Sequence, residues 1–288
     1  MTRSLHAVRL GLARGWIEFR NGFTTFQDVG LGLVLGPIFL VILILGIGEP
    51  LPGLPAGLPL DLASFALPGV LGVLIGVGGV MSAAYWLAAE REDGTLLRAK
   101  AVPHGMTGYL TARVLTVSAD TVIGMLIVLV PGLFLFDGLA AAGLSGYLTL
   151  SWVVVLGLCA TLPWGAILGA VLRTPRAVSS FGFIPLTVFT AISGIFAPLQ
   201  VWPAWVQSVA QALPFYWLGV GMRSALLPGA AVVMEIDASW RILPTVGVLA
   251  GWAVVGLLLA PPILRRMARG ESGARLEARR QRAIQRIG

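Results

Sequence analysis

Charge is what this 288-residue sequence has least of: 11% of its residues are Asp, Glu, Lys or Arg, while 57% are hydrophobic. Soluble domains carry roughly twice that charge. A soluble chain of this length could bury a good core but would still need a polar surface around it, and too little charge is present to make one. A mean hydropathy of +0.89 agrees, and the sequence reads as an integral membrane protein. Lysine is almost missing, Lys100 being the only one. A phosphate-cradling loop for ATP needs Gly-Lys followed by Ser or Thr; Lys100 follows Ala99, so this chain has no such loop. Cys159 is the single cysteine and lies in an apolar run. That excludes an intramolecular disulfide and a thiolate metal cluster, and favours a buried, inert thiol. The two histidines, His6 and His104, lack any ligand spacing, and neither an HExxH helix nor a nucleophile elbow occurs. We therefore assign no catalytic residue, no metal site and no cofactor to the chain, and do not read it as an enzyme.

What the sequence does have is long oily runs. Crossing about 30 Å of hydrocarbon takes about 20 apolar residues, and six runs qualify: 29–48, 64–89, 109–136, 146–172, 178–197 and 240–264. A weaker run, 201–227, is broken by Pro203, Pro214, Gly219 and Gly221, and reads as two short helices entering or lying on the outer leaflet. The net charge of +7 fits this topology better than a nucleic-acid partner. Six spans put both termini on one side, and eighteen of the twenty basic residues then fall on that side: the N-terminal segment, the connections near 91–113 and 173–176, and the tail from Arg265. Only Arg223 and Arg241 lie opposite, with Glu49, Asp61, Asp137, Glu235 and Asp237. The positive-inside rule places both termini in the cytoplasm of a multi-pass cell-membrane protein. We read one domain over 1–288: a leading helix in 1–28, a six-span core in 29–264 and a basic tail in 265–288.

Within the leading segment Leu5, Val8, Leu12, Trp16, Phe19 and Phe23 recur at helical spacing, with Arg3, Arg14 and Glu18 opposite. This predicts an amphipathic helix in the cytoplasmic interface, in contact with lipid. The densest mixed-charge run, Glu90-Arg91-Glu92-Asp93-Gly94-Thr95-Leu96-Leu97-Arg98-Ala99-Lys100, sits between two spans. Asp93 is suited to cap a short helix over 94–101, and Pro103 to stop it. The charged side chains are expected to stay wet or form salt bridges, and any displacement of this helix must move both spans. Asp120 is the acid in mid-span, where a charge costs about 2.5–3.5 kcal/mol. It either lines a translocation path or bonds to a nearby hydroxyl such as Thr116 or Thr121. Three small-xxx-small pairs, Gly72/Gly76, Gly165/Gly169 and Gly247/Gly251, suit close helix packing.

The stretch Glu90 to Leu96 followed by Pro103 resembles the E-R-E-x-G-T-L…P segment of type 2 ABC exporter permeases, the group that includes the daunorubicin-resistance DrrB-like subunits. Ile192-Ser193-Gly194-Ile195-Phe196-Ala197-Pro198-Leu199, then Trp202-Pro203-Ala204-Trp205-Val206, then Leu213-Pro214-Phe215-Tyr216 resembles the family's stretch between spans five and six. Where the family often has Gly-Lys early in the third span, this chain has Ala112-Arg113. The resemblance implies an all-α permease that pairs with a second copy or a paralogue and with a separate ATPase carrying ATP and magnesium. It makes Glu90 to Lys100 the coupling helix and Leu5 to Phe23 the connecting helix. Phe196, Pro198, Trp202, Pro203, Trp205 and Pro214 then belong to an outer gate. An amphipathic, drug-like or lipid-like cargo is expected. The alternatives are a lipid-linked polysaccharide or other envelope precursor, and, in a different class, an ATP-independent secondary transporter.

Overall fold

In a computed structural model, the structure describes residues 9–13, 15–17, 31–50, 60–102, 105–136, 139, 143–194 and 198–270. Among them the chain is helical throughout, without strands. Besides the helical residues 9–13 and 15–17, the described residues include, in order, α1 (Leu31–Leu45), α2 (Leu62–Glu92), α3 (Thr95–Lys100), α4 (Gly105–Leu135), α5 (Gly143–Val171), α6 (Pro175–Ala177 and Phe183–Ala191, joined by a π-turn), α7 (Ala204–Ala212), α8 (Pro214–Leu226) and α9 (Ile242–Gly270). Four of these, α2, α4, α5 and α9, are long and apolar enough to cross a membrane. They overlie the second, third, fourth and sixth predicted spans. The first predicted span forms a shorter helix, α1, of 15 residues, ended by a turn whose Gly48 has φ +76°. The helix in the fifth stops at Ala191, and residues 195–197 of that predicted span lie outside the described residues. At the sixth, the helix continues past 264 and carries Arg265, Arg266 and Arg269.

The packing order follows from which faces lack bulk. The whole apolar window of α2 is buried, against 22% of that of α9, so α2 is the core helix and α9 lies at the rim. α5 packs on α2 through the Gly165/Gly169 face: a side chain there would meet Val80 O at 2.4 Å and Ala84 O at 2.5 Å. Gly72 and Gly76 meet α8 at the Gly219 amide and the Phe215 ring. The third pair, Gly247/Gly251, faces open space. Prolines inside α1, α2, α4, α5 and α9 and a π-turn at Leu74–Gly78 are tolerated where neighbouring helices re-satisfy the backbone. Outward faces of α1, α4 and α9 expose Val41, Leu45, Phe134, Leu243 and Leu258, the surface that a lipid solvent covers and water does not.

The run 201–227 forms two short helices, as its prolines predict. Pro203 stands at the N-cap of α7, and Pro214 opens α8 at a position where its missing N–H is harmless. α8 is buried almost end to end. It wedges between α2, α5 and α9; Trp217 Nε1 ties it to α7 by donating to Gln211 O (2.6 Å), and Trp252 Nε1 of α9 holds the end of α7 by donating to Ala212 O (2.9 Å).

Candidate functional site

The turn between α2 and α4 is built from two residues with different tasks. Gly94 takes φ +80°, a left-handed conformation that side chains resist. Asp93 Oδ1 accepts the Thr95 amide at 2.8 Å. The helix expected over 94–101 is therefore α3, Thr95–Lys100, with Gly94 rather than Asp93 at its cap position. Its inner face, Leu96 and Ala99, packs with Tyr109, Met106, Leu110 and Met267. Its far end is tied to α9 by Lys100 Nζ donating to Ala268 O at 2.8 Å.

The charges of this segment divide into two sets. Glu92, Asp93, Arg98 and Lys100 are exposed, and Thr95 and Leu97 are half-buried. Glu90 and Arg91 are buried: Glu90 takes the salt-bridge alternative of the expectation, while Arg91 turns inward onto backbone carbonyls. Glu90 accepts the Tyr109 hydroxyl and pairs with Arg113, and the Arg113 guanidinium lies 4.9 Å from the centre of the Trp86 ring. Arg91 Nη1 donates to Ala170 O (2.9 Å) and Gly169 O (3.3 Å), placing a cation at the carbonyl end of α5, where the helix dipole favours it. Both are bolts: one fixes the end of α2 to α4, the other to α5. Tyr109, Arg113 and Trp86 were not singled out from the sequence as partners of Glu90. The available signal was spacing: Trp86/Glu90 and Tyr109/Arg113 are both i, i+4 pairs, each presenting one face.

Along the leading segment, Leu12 and Trp16 are exposed, as a helix lying against lipid requires. Leu5, Val8, Phe19 and Phe23 lie outside the described residues. The opposite contact is made by Gly11 and Gly15, where a side chain would come within 2.6 Å of Gly108 O and 2.9 Å of Ala112 O of α4.

Asp120 is buried and accepts from Ser82 Oγ of α2 at 3.4 Å. The expected partners, Thr116 and Thr121, instead donate to carbonyls one turn back in their own helix, Ala112 O and Val117 O. Cys159, expected to be buried, is exposed on α5. Among the outer-gate residues Trp202 and Trp205 are exposed, Pro203 precedes α7 and Pro214 is buried at the start of α8; Phe196 lies outside the described residues. The unforeseen feature at that end is Arg223. It is 2% exposed. It pairs with Glu235, donates to Gly194 O at 3.2 Å and stands 5.6 Å from the centre of the Phe65 ring.

These contacts make a rigid, amphipathic knob (α3) joined to three long helices at one end, and a clamped hairpin (α7–α8) at the other. The arrangement suits transmission of a push rather than covalent chemistry. A family model described as ABC-2 family transporter protein matches residues 54–260, which take in α2 through most of α9 together with α3 and the hairpin. No curated protein matches the chain.

Proposed function

The chain belongs to the ABC-2 transporter family as a multi-pass membrane permease, a component that normally works with an ATPase subunit, and from that premise we propose how it works. It is the membrane-spanning subunit of a DrrB-like exporter, with α3 as the helix that a separate ATPase grips. The observation that carries this reading is the mounting of α3. The outward side of α3 and of the turn before it offers Glu92, Asp93 and Arg98 to a soluble partner. Its inward side is joined to α2 by a two-residue turn, to α4 by the Leu96–Tyr109 packing, and to α9 by Lys100. A force on α3 therefore reaches the ends of three helices long enough to cross the membrane.

In this reading α1 and α6 complete six spans, both termini are cytoplasmic under the positive-inside rule, and the Gly11/Gly15 helix rides on α4 beside the ATPase. A second permease copy or paralogue completes the path. ATP binding on the partner supplies the bias, and moving a switch from 1:99 to 99:1 takes about 5.5 kcal/mol. The α7–α8 hairpin closes the outer end until the spans reorient. Charge inside the spans is sparse, which favours an amphipathic, drug-like or lipid-like cargo over an ion or a free sugar.

The test is co-purification with the ATPase encoded beside it, with ATP turnover measured for wild type and for Glu92→Lys plus Arg98→Glu. Both side chains are exposed, so the fold should survive. Association in the wild type, with turnover lost in the variant, supports the reading. A folded protein that moves substrate with no ATPase would instead favour a secondary transporter centred on Ser82 and Asp120.

A further inference from the structure

A groove of about 750 Å³ runs between α4, α5 and α9, within the size range of small-ligand sites. We propose that it holds one anionic phospholipid, with acyl chains along the groove and the phosphate at the Arg265/Arg269 end. The groove, its wall and its charge do not depend on the ATPase reading; the leaflet that its cationic end faces rests on the orientation given with that reading.

Three observations choose this occupant. The first is length. The groove's lining spans residues 106–118 on α4, 155–166 on α5 and 257–269 on α9. At 1.5 Å per residue each stretch covers about 17–18 Å, close to the ~15 Å hydrocarbon depth of one leaflet plus the start of its headgroups. Three helices thus agree on a cleft one leaflet deep.

The second is the wall. Apart from Tyr109, Ser118 and Cys159, the residues between its cationic ones are apolar. Val114, Val155 and Leu257 are exposed on its lips, so the groove opens sideways toward lipid. A sugar or a hydrated ion would find almost nothing there to bond.

The third is charge. Among the described residues the charged lining ones are Lys100, Arg113, Arg265 and Arg269, all positive and gathered toward one end, with no carboxylate beside them. Lys100 is engaged by Ala268 O and Arg113 by Glu90. Arg265 and Arg269 are exposed and one turn apart on α9, so both reach the same headgroup. Arginine pairs of this kind match phosphate oxygens. The end they occupy faces the cytoplasmic leaflet in the orientation proposed above, where such cations meet anionic lipid.

The experiment is native mass spectrometry of the full-length protein in detergent, titrated with phosphatidylglycerol and, separately, phosphatidylcholine. One phosphatidylglycerol per chain should bind saturably and more tightly than phosphatidylcholine. Arg265→Gln plus Arg269→Gln should weaken phosphatidylglycerol about thirtyfold, the ~2 kcal/mol expected of two cations beside an anionic lipid, and bring the two lipids level. Arg266→Gln, on the same turn but outside the groove, should change nothing. Val155→Trp, at a position 63% exposed, should remove saturable binding of both lipids by filling the cleft. Equal binding of the two lipids by wild type would overturn the proposal. So would a loss in Arg266→Gln as large as in the double variant, which would mean general surface attraction. A dimer that Val155→Trp dissociates would overturn it too, assigning the groove to a second copy. The arginine variants alter only exposed side chains, so they decide the question even if Val155→Trp misfolds.

Discussion

Two ion pairs among the described residues stand toward opposite ends of α2, one at Glu90 and one against the Phe65 ring 25 residues earlier, about 38 Å along the helix, and they are built differently. Glu90–Arg113 joins two long helices, and its charges are shared with the Tyr109 hydroxyl and the Trp86 ring. Its side chains keep 14% and 8% of their surface in solvent. Arg223–Glu235 is closed within 12 residues of chain, by a helix and the 3₁₀ segment after it. Its side chains keep 2% and 4%. It also reaches across to Gly194, at the turn that ends α6. The first pair fastens helices whose ends carry α3, and a partly wet pair is able to loosen and re-form. The second locks the outer hairpin, where a lost partner leaves a charge with no water near it. In the exporter reading proposed above, the α3 end transmits movement and the hairpin end holds until the hairpin shifts.

Breaking the outer pair should have the largest effect. Arg223→Met leaves Glu235 in a dry site and should destabilise the protein by about 3–5 kcal/mol, read as thermal unfolding in detergent. Adding Glu235→Leu should recover most of that loss, because a matched apolar pair carries no stranded charge. Breaking the inner pair is expected to be milder. Glu90→Gln keeps an acceptor for Tyr109 and should cost about 2 kcal/mol, the scale of a hydrogen bond to a charged group. If the two single variants unfold at the same temperature, the contrast drawn here fails.

Two smaller changes sharpen the comparison. At the outer start of α2, Asp61 accepts the Ser64 amide and hydroxyl and the Gly48 amide. It caps α2 and pins the turn after α1. Burial pushes its carboxyl up, but these hydrogen bonds outweigh that and hold it below its ordinary value of 3.8. Its contribution is therefore complete above 3.8 and is lost as pH falls through the lower folded value. Asp61→Ala should cost about 1 kcal/mol near neutral pH, and the gap between variant and wild-type stability should close in acid. Tyr109→Phe, which removes one hydroxyl from the inner cluster, should cost about 0.6 kcal/mol, the average for a hydrogen bond within a membrane protein. A loss of several kcal/mol there would mean the inner cluster is as brittle as the outer one.

Much of this is legible in the sequence. The four long helices fall where the apolar runs lie, because a segment without water must bond its own backbone. The two prolines that break 201–227 mark the starts of α7 and α8. The short helix after Asp93 is legible within one residue, since a carboxylate ready for an amide is a local property, but Gly94 leaves the expected helix and takes positive φ as its cap. The partnerships were not legible. Nothing in the run Glu90 to Lys100 says that Glu90 and Arg91 turn inward while Glu92 and Arg98 stay out. Nor does the sequence rank its three glycine pairs, two of which seat a neighbouring helix while Gly247/Gly251 faces open space. Cys159 shows the same limit: an apolar run tells that a helix is in lipid or protein, and not which.

The sequence by itself determined that the chain belongs in a membrane, where its four long apolar helices lie, and where prolines open α7 and α8. Those follow from hydropathy and proline chemistry, which act within a turn or two of helix. The tertiary structure alone decided that α2 is the buried core, that Arg223 finds Glu235, Gly194 and Phe65, and that Arg265 and Arg269 look into a groove. Those depend on how helices far apart in sequence rotate about their axes and approach one another, and composition along one chain does not encode that.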